Sequence, residues 1–152
     1  MAKYSEMLGR WRDAEAYYRT AIDSDPANIR RVRMLAEFFL SPSNPLPDRI
    51  VKAVPYLNQI VRAGHEGQIE STDEDLIWAR QKIALLLASS KDYQQLLKAE
   101  KSIEANAIDG ELQTADKLLL AQILSTRPEP ESRKKAIQLL EEVNQSGNTL
   151  NA

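Results

Sequence analysis

The run AEAYYRTAIDSDPANIRRVRMLAEFF, residues 14–39, decides how this chain is read, because it places small and large side chains at the intervals two packed helices require. Ala14, Tyr18 and Ala21 recur at four and three residues, so they share one helix face, and Asp25-Pro26 ends that helix. Past the proline, Val32, Leu35, Ala36 and Phe39 set out a second such face. A small residue is needed where two helix backbones come close, with bulky neighbours filling the gaps beside it. Helices are therefore expected over 11–24 and 28–40.

The same rhythm continues outward. SPSNPLP at 41–47 stops the second helix, and a third is expected over 48–63, with Ala53, Leu57 and Ile60 on one face. Pro55 lacks an N–H, which predicts either a kink or a helix that begins near Val54. Residues 64–68 read as a polar loop. Ser71 followed by Glu74 forms a capping box that opens a helix reaching residue 89, with core slots at Ile83, Ala84 and Leu87. After a turn at 89–92, a helix over 93–107 has two open registers, Leu96 with Glu100 and Ile103, or Ala99 with Ile103, until Asp109-Gly110 breaks it. A last pair over 111–126 and 131–146 sets Leu120, Ala121 and Leu124 against Ala136, Leu140 and Val143, with Gly147 as C-cap. Five glycines, seven prolines of which six fall between helical segments, and no alternating pattern predict an all-α fold.

Composition narrows the function classes. The chain has 152 residues, 43% hydrophobic and 28% charged, which suits one folded domain and speaks against disorder. A net charge of −2 gives no electrostatic reason to approach nucleic acid, whose phosphates clustered Lys and Arg would have to neutralise, so nucleic acid is not an expected partner. Cysteine is absent, which removes disulfides, thiolate catalysis and cysteine-ligated zinc. Residues 1–8 carry no apolar signal region, and the longest uncharged apolar run, 83–88, is far too short to cross a bilayer. A soluble chain without a membrane partner, by default cytoplasmic, is the expectation.

Ala14, Tyr18, Ala21 and Pro26 match the intervals A-x3-F then proline, and Val32, Leu35, Ala36 and Phe39 match W-x2-L-G-x2-Y, so the chain resembles the tetratricopeptide repeat family. The match is specific in this first repeat and a half and degenerate later, where 40–50, 63–71 and 127–132 stretch the period. Ala14, Ala36, Ala53, Ala84, Ala121 and Ala136 supply the small residue in six of seven helices. The resemblance implies a right-handed α-α superhelix, a solenoid of about seven to eight antiparallel helices, forming a single domain over 1–152 with repeats near 1–27, 28–63, 72–108 and 111–147. Residues 1–8 supply only half a partner helix, so the chain is expected to start mid-repeat, as a segment of a longer array.

It further implies a protein–protein interaction or assembly scaffold that holds a partner protein or peptide in a concave groove, without a cofactor. The alternative is a structural or regulatory helical segment packed against a flanking domain, such as an enzyme or kinase, through an apolar end near Leu85 and Leu118. In such solenoids the first helix of each repeat lines the groove. Offset from the core puts Arg30, Arg33 and Glu37 there in the second repeat, Trp78, Gln81 and Leu85 in the third, and Leu118 and Gln122 in the fourth.

An arginine pair one turn apart can grip a carboxylate of an acidic or C-terminal peptide, or stand as solvated helix charges. Some family members clamp a C-terminal carboxylate with Lys and Asn on these helices; Arg33, Glu37, Gln81 and Leu85 depart from that set, so the clamp is not carried over. Trp78 is either a binding hot spot or packing against a neighbouring segment. Trp11, Tyr17 and Tyr18 occupy the repeat's own aromatic slots and read as packing. His65 is the only histidine and falls in the 64–68 loop, the carboxylate runs 73–75 and 141–142 sit at helix ends or surfaces, and no phosphate-cradling glycine loop or serine elbow occurs. No catalytic residue and no metal site is expected.

Overall fold

The structure is a computed structural model; it describes residues 1–90 and 92–149, with side chains through residue 146. Among the described residues eight α-helices follow in order: α1 (Ala2–Met7), α2 (Trp11–Asp23), α3 (Ile29–Leu40), α4 (Arg49–His65), α5 (Glu74–Ser89), α6 (Tyr93–Glu104), α7 (Thr114–Ser125) and α8 (Pro130–Thr149). Among the described residues there is no strand, only an isolated bridge between Ile108 and Glu111, so the chain is all-α. No helix there is long and apolar enough to cross a membrane.

The chain divides into two units, Met1–Ala79 and Arg80–Ala152, with the boundary inside α5. In the first, close backbone approaches run from α1 to α2, α2 to α3 and α3 to α4; in the second they run from α6 to α7 and α7 to α8. Each approach joins neighbours in the chain.

The first unit's core is aromatic. Ala14, Tyr18, Leu35, Phe38, Phe39 and Ala53 form its buried cluster. The Phe38 ring lies 6.3 Å from Trp11, 5.4 Å from Tyr18 and 5.3 Å from Phe39, and Phe39 stacks at 6.0 Å on Tyr56. Such tilted pairs add to the area they bury. The Tyr18 hydroxyl donates to Glu6 Oε1 at 2.5 Å, and burial, with the Glu6 bond second, pushes its ionisation above the ordinary tyrosine range. The second unit's core is aliphatic, built from Ala84, Leu96, Ala99, Ile103, Leu120, Ala121, Ile123, Leu124, Ala136 and Leu139. All six alanines assigned to helix crossings are buried.

Local signals explain where elements start and turn. Asn28 Oδ1 accepts from the Arg31 N–H and Asp92 Oδ1 from the Gln95 N–H, capping α3 and α6. Asp109 (φ 52°) and Gly110 (φ 84°) form a two-residue turn closed by paired Ile108 and Glu111 backbone bonds of 2.9 Å. Positive φ at both positions is the geometry an Asp-Gly pair favours. In α4, a Cβ on Gly64 would sit 2.5 Å from Leu76 Cδ2, so the glycine permits a close approach to α5.

Several expectations are corrected. α4 starts at Arg49, not near Val54, and carries Pro55 inside. Pro55 and Val51 are both exposed, so the Val51 carbonyl deprived of its donor lies on the solvent side of the helix. Gly64 and His65 belong to α4 rather than to a loop. The cap of α5 is Asp73, whose Oδ1 accepts the Asp75 N–H at 2.8 Å, in place of a Ser71–Glu74 box. In α5, Ala84 is buried and half-buried Leu87 packs against the second unit's core as expected, whereas Ile83 is only half-buried and Leu76 and Ala79 take further buried positions. The α6 register resolves to Leu96, Ala99 and Ile103. In α8, Leu139 takes the core slot assigned to Leu140. Tyr17 is 44% exposed rather than packed, and α8 continues through Gly147. Of the 89–92 turn, Lys91 lies outside the described residues.

Candidate functional site

Helix α3 and the start of α5 build a cleft in the first unit. Arg30, Arg33, Met34 and Glu37 sit at successive turns of α3, one face of the helix, and Glu74 and Asp75 face them from the first turn of α5; together they line a space of ≈ 280 Å³. The opposite α3 face carries Val32, Leu35, Ala36 and Phe39 into the core, which fixes the orientation of the cleft side.

Arg33 is the hub. Its Nε donates to Glu37 Oε1 at 2.9 Å, its Nη1 to Asp75 Oδ1 at 2.5 Å, and Glu74 Oε1 lies 3.8 Å away. The guanidinium also sits 4.9 Å above the Trp78 ring, within the range of a cation–π contact. Burial works against its charge, and the hydrogen bonds to Asp75 and Glu37 outweigh that, holding the guanidinium above its usual pKa. Arg33 therefore spends its Nε and Nη1 donors inside the chain. Arg30, one turn earlier, is exposed and forms no ion pair among the described residues; Met34 beside it is exposed as well.

Of the eight residues expected on a binding face, four come together in this unit: Arg30, Arg33 and Glu37 line the cleft, and Trp78 reaches it through Arg33. Trp78 is half-buried, one ring face covered by that guanidinium.

The other four lie in the second unit. Gln81 is turned inward, its Nε2 donating to Asp116 Oδ1 at 2.8 Å. Leu85 is 40% and Leu118 44% exposed, and Gln122 is exposed, its carbonyl accepting from the Ser125 hydroxyl. Met34, Glu74 and Asp75 were missed as cleft residues. In the sequence, Glu74 and Asp75 carry the marks of a helix start, and no pattern ties residue 75 to residue 33.

Two polar networks bind elements of the second unit to one another. Asp116, fully buried at the start of α7, accepts through Oδ1 from Gln81 and, at 3.1 Å, from Asn106 Nδ2, while its Oδ2 has no hydrogen-bond partner among the described residues. Glu100, which fits an apolar slot poorly, is half-buried between Arg127 Nη1 and Lys135 Nζ, and Lys135 also reaches Glu104 at 2.9 Å. Arg127 lies 5.3 Å over the Tyr93 ring. These groups tie α6, α7 and α8 together.

His65, at the end of α4, is exposed, and among the described residues no group of three or more His, Cys, Asp or Glu could hold a metal ion. No protein-family model, curated protein or solved structure matches the chain.

Proposed function

We propose that this chain is a non-catalytic protein–protein interaction module, a tetratricopeptide-like scaffold that takes a peptide segment of a partner protein at the cleft between α3 and α5. The observation that carries this reading is the pairing of Arg30, a cation without an ion-pair partner among the described residues, with exposed Met34 in a cleft whose other charges are already joined. An unpaired cation beside a flexible apolar surface suits a segment with one acidic and one apolar side chain a turn apart. Arg33, Glu37 and Asp75 then act as a prearranged wall, fixed in advance by their own bonds, which reduces the ordering cost of binding.

The solenoid part of the proposal, a right-handed superhelix of antiparallel helices, is supported by two features. Ala14, Ala36, Ala53, Ala84, Ala121 and Ala136 are buried, and within each unit the close helix approaches join sequence neighbours, as stacked repeats do. A cytoplasmic location accompanies this reading. The second reading, a helical segment packed against a flanking domain, is favoured by the exposed Leu85 and Leu118.

An array of randomised peptides probed with the labelled chain tests the module. Selected peptides are expected to bind with affinity reduced at least about tenfold by Arg30→Glu and by Met34→Glu, a loss of about 1.4 kcal/mol each. Equal affinity for both variants and the parent chain would remove the cleft as the site.

A further inference from the structure

Helix α8 carries two sets of charges with different fates. Lys135 donates to Glu100 and Glu104, and Glu142 accepts from Lys117 and Gln138, so the inward side of the helix is paired within the chain. Along its other side a shallow groove of ≈ 550 Å³ is lined by Pro130, Arg133, Lys134, Ile137, Gln138 and Glu141. Ile137 is 58% exposed and Leu140 beside it 48%. Lys134 and Glu141 form no ion pair among the described residues.

We infer that this side of α8 pairs with the same side of a second copy of the chain, in an antiparallel two-fold contact. Lys134 and Glu141 are two turns apart, so they share one flank of the helix, next to Ile137. A two-fold that reverses helix direction lays each flank against the same flank of the copy. With the axis between Ile137 and Gln138, Lys134 stands level with Glu141 of the copy and Glu141 with its Lys134. Both ion pairs form at once, and Ile137 and Leu140 are covered between the helices. A parallel alignment sets Arg133 and Lys134 of both copies side by side and repels. Opposite charge at a spacing that only the antiparallel arrangement satisfies is what selects a second copy as the occupant. One helix face is a small contact, so the dimer is weak and reversible.

Sedimentation equilibrium over about 10 to 500 μM reads the assembly. The chain is expected to move from monomer to dimer across this range. Lys134→Glu and Glu141→Lys each raise the dissociation constant at least about tenfold, because each places like charges in both pairs. An equimolar mixture of the two variants restores the dimer, as does the double variant K134E/E141K, and Ile137→Glu abolishes it. All three positions are on the surface, so the variants keep the helical circular dichroism of the parent. A monomer at every concentration, a dimer indifferent to the single reversals, or a mixture that fails to recover would each overturn the inference.

Discussion

The two units solve the same packing problem with different chemistry. The first surrounds its buried alanines with rings, Tyr18, Phe38 and Phe39 backed by Trp11 and Tyr56. The second surrounds its own with aliphatic side chains and adds a buried carboxyl group, Asp116 held by Gln81 and Asn106. Rings occupy volume with few rotatable bonds, so a small number define one arrangement. Leu and Ile repack more freely, and directional hydrogen bonds can supply what their shapes leave open. Each unit also locks a set of charges together, Arg33 with Glu37 and Asp75 in the first and Glu100 with Arg127 and Lys135 in the second.

The largest effect that could break this contrast is Phe38→Ala. Phe38 is buried and contacts three other rings, so its removal is expected to cost about 3–5 kcal/mol in urea denaturation followed by circular dichroism. Ile103→Ala, a buried aliphatic truncation in the second unit, is expected to cost about 2–4 kcal/mol. An equal or smaller loss for Phe38→Ala would mean the rings hold the first unit no more firmly than Leu and Ile hold the second.

Asp116 sharpens the comparison. Asp116→Ala leaves the Gln81 and Asn106 amides without their acceptor and is expected to cost about 1–3 kcal/mol. Asp116→Asn keeps one carbonyl oxygen at the same place and should cost less. If both variants match the parent in denaturant midpoint, the polar group does not help define the second unit. Alanine crossings give the next measurement: Ala36→Leu and Ala121→Leu, one in each unit, are each expected to lose about 1–3 kcal/mol by overpacking, whereas exposed Ala16→Leu stays within about 0.5 kcal/mol of the parent.

The smallest effect concerns pH. The hydrogen bond from Lys117, then that from Gln138, lowers the Glu142 carboxyl below its ordinary range. A depressed folded-state value makes its contribution complete above the unfolded carboxylate range and progressively lost as pH falls through the folded value. Lys117→Met is expected to move the Glu142 titration, read by carbon-detected nuclear magnetic resonance, upward toward that of a free glutamate. An unmoved titration would show that the Lys117 contact does not persist in solution.

Much of the fold was legible because alanines at helix crossings act locally. Ala14, Ala36 and Ala53 declare their burial through spacing alone, whereas the caps read at Ser71–Glu74 and Gly147 gave way to Asp73 and to a helix that continues past Gly147. The rest depends on partners distant in the chain. Leu139 and Leu140 are adjacent apolar residues on α8, and only the neighbouring helix selects between them. Glu100 looked misplaced until Arg127 and Lys135, far along the sequence, came to meet it. Tyr17 and Tyr18 differ by one residue, yet Tyr18 finds Glu6 and Phe38 while Tyr17 faces out. For the cleft, the α3 side was legible as a charged face opposite the core, but Arg33's capture by Asp75 was not, because forty-two positions separate them.

The central claim, that the cleft between α3 and α5 receives a peptide, is tested most directly by titrating the isotopically labelled chain with the strongest peptide from the array and following amide and indole resonances. The expected result is saturable shifts at Arg30, Arg33, Met34 and Glu37 and at the Trp78 indole N–H, lost in Met34→Glu. Saturable shifts confined to other helices, or no saturable binding by any peptide, would contradict it.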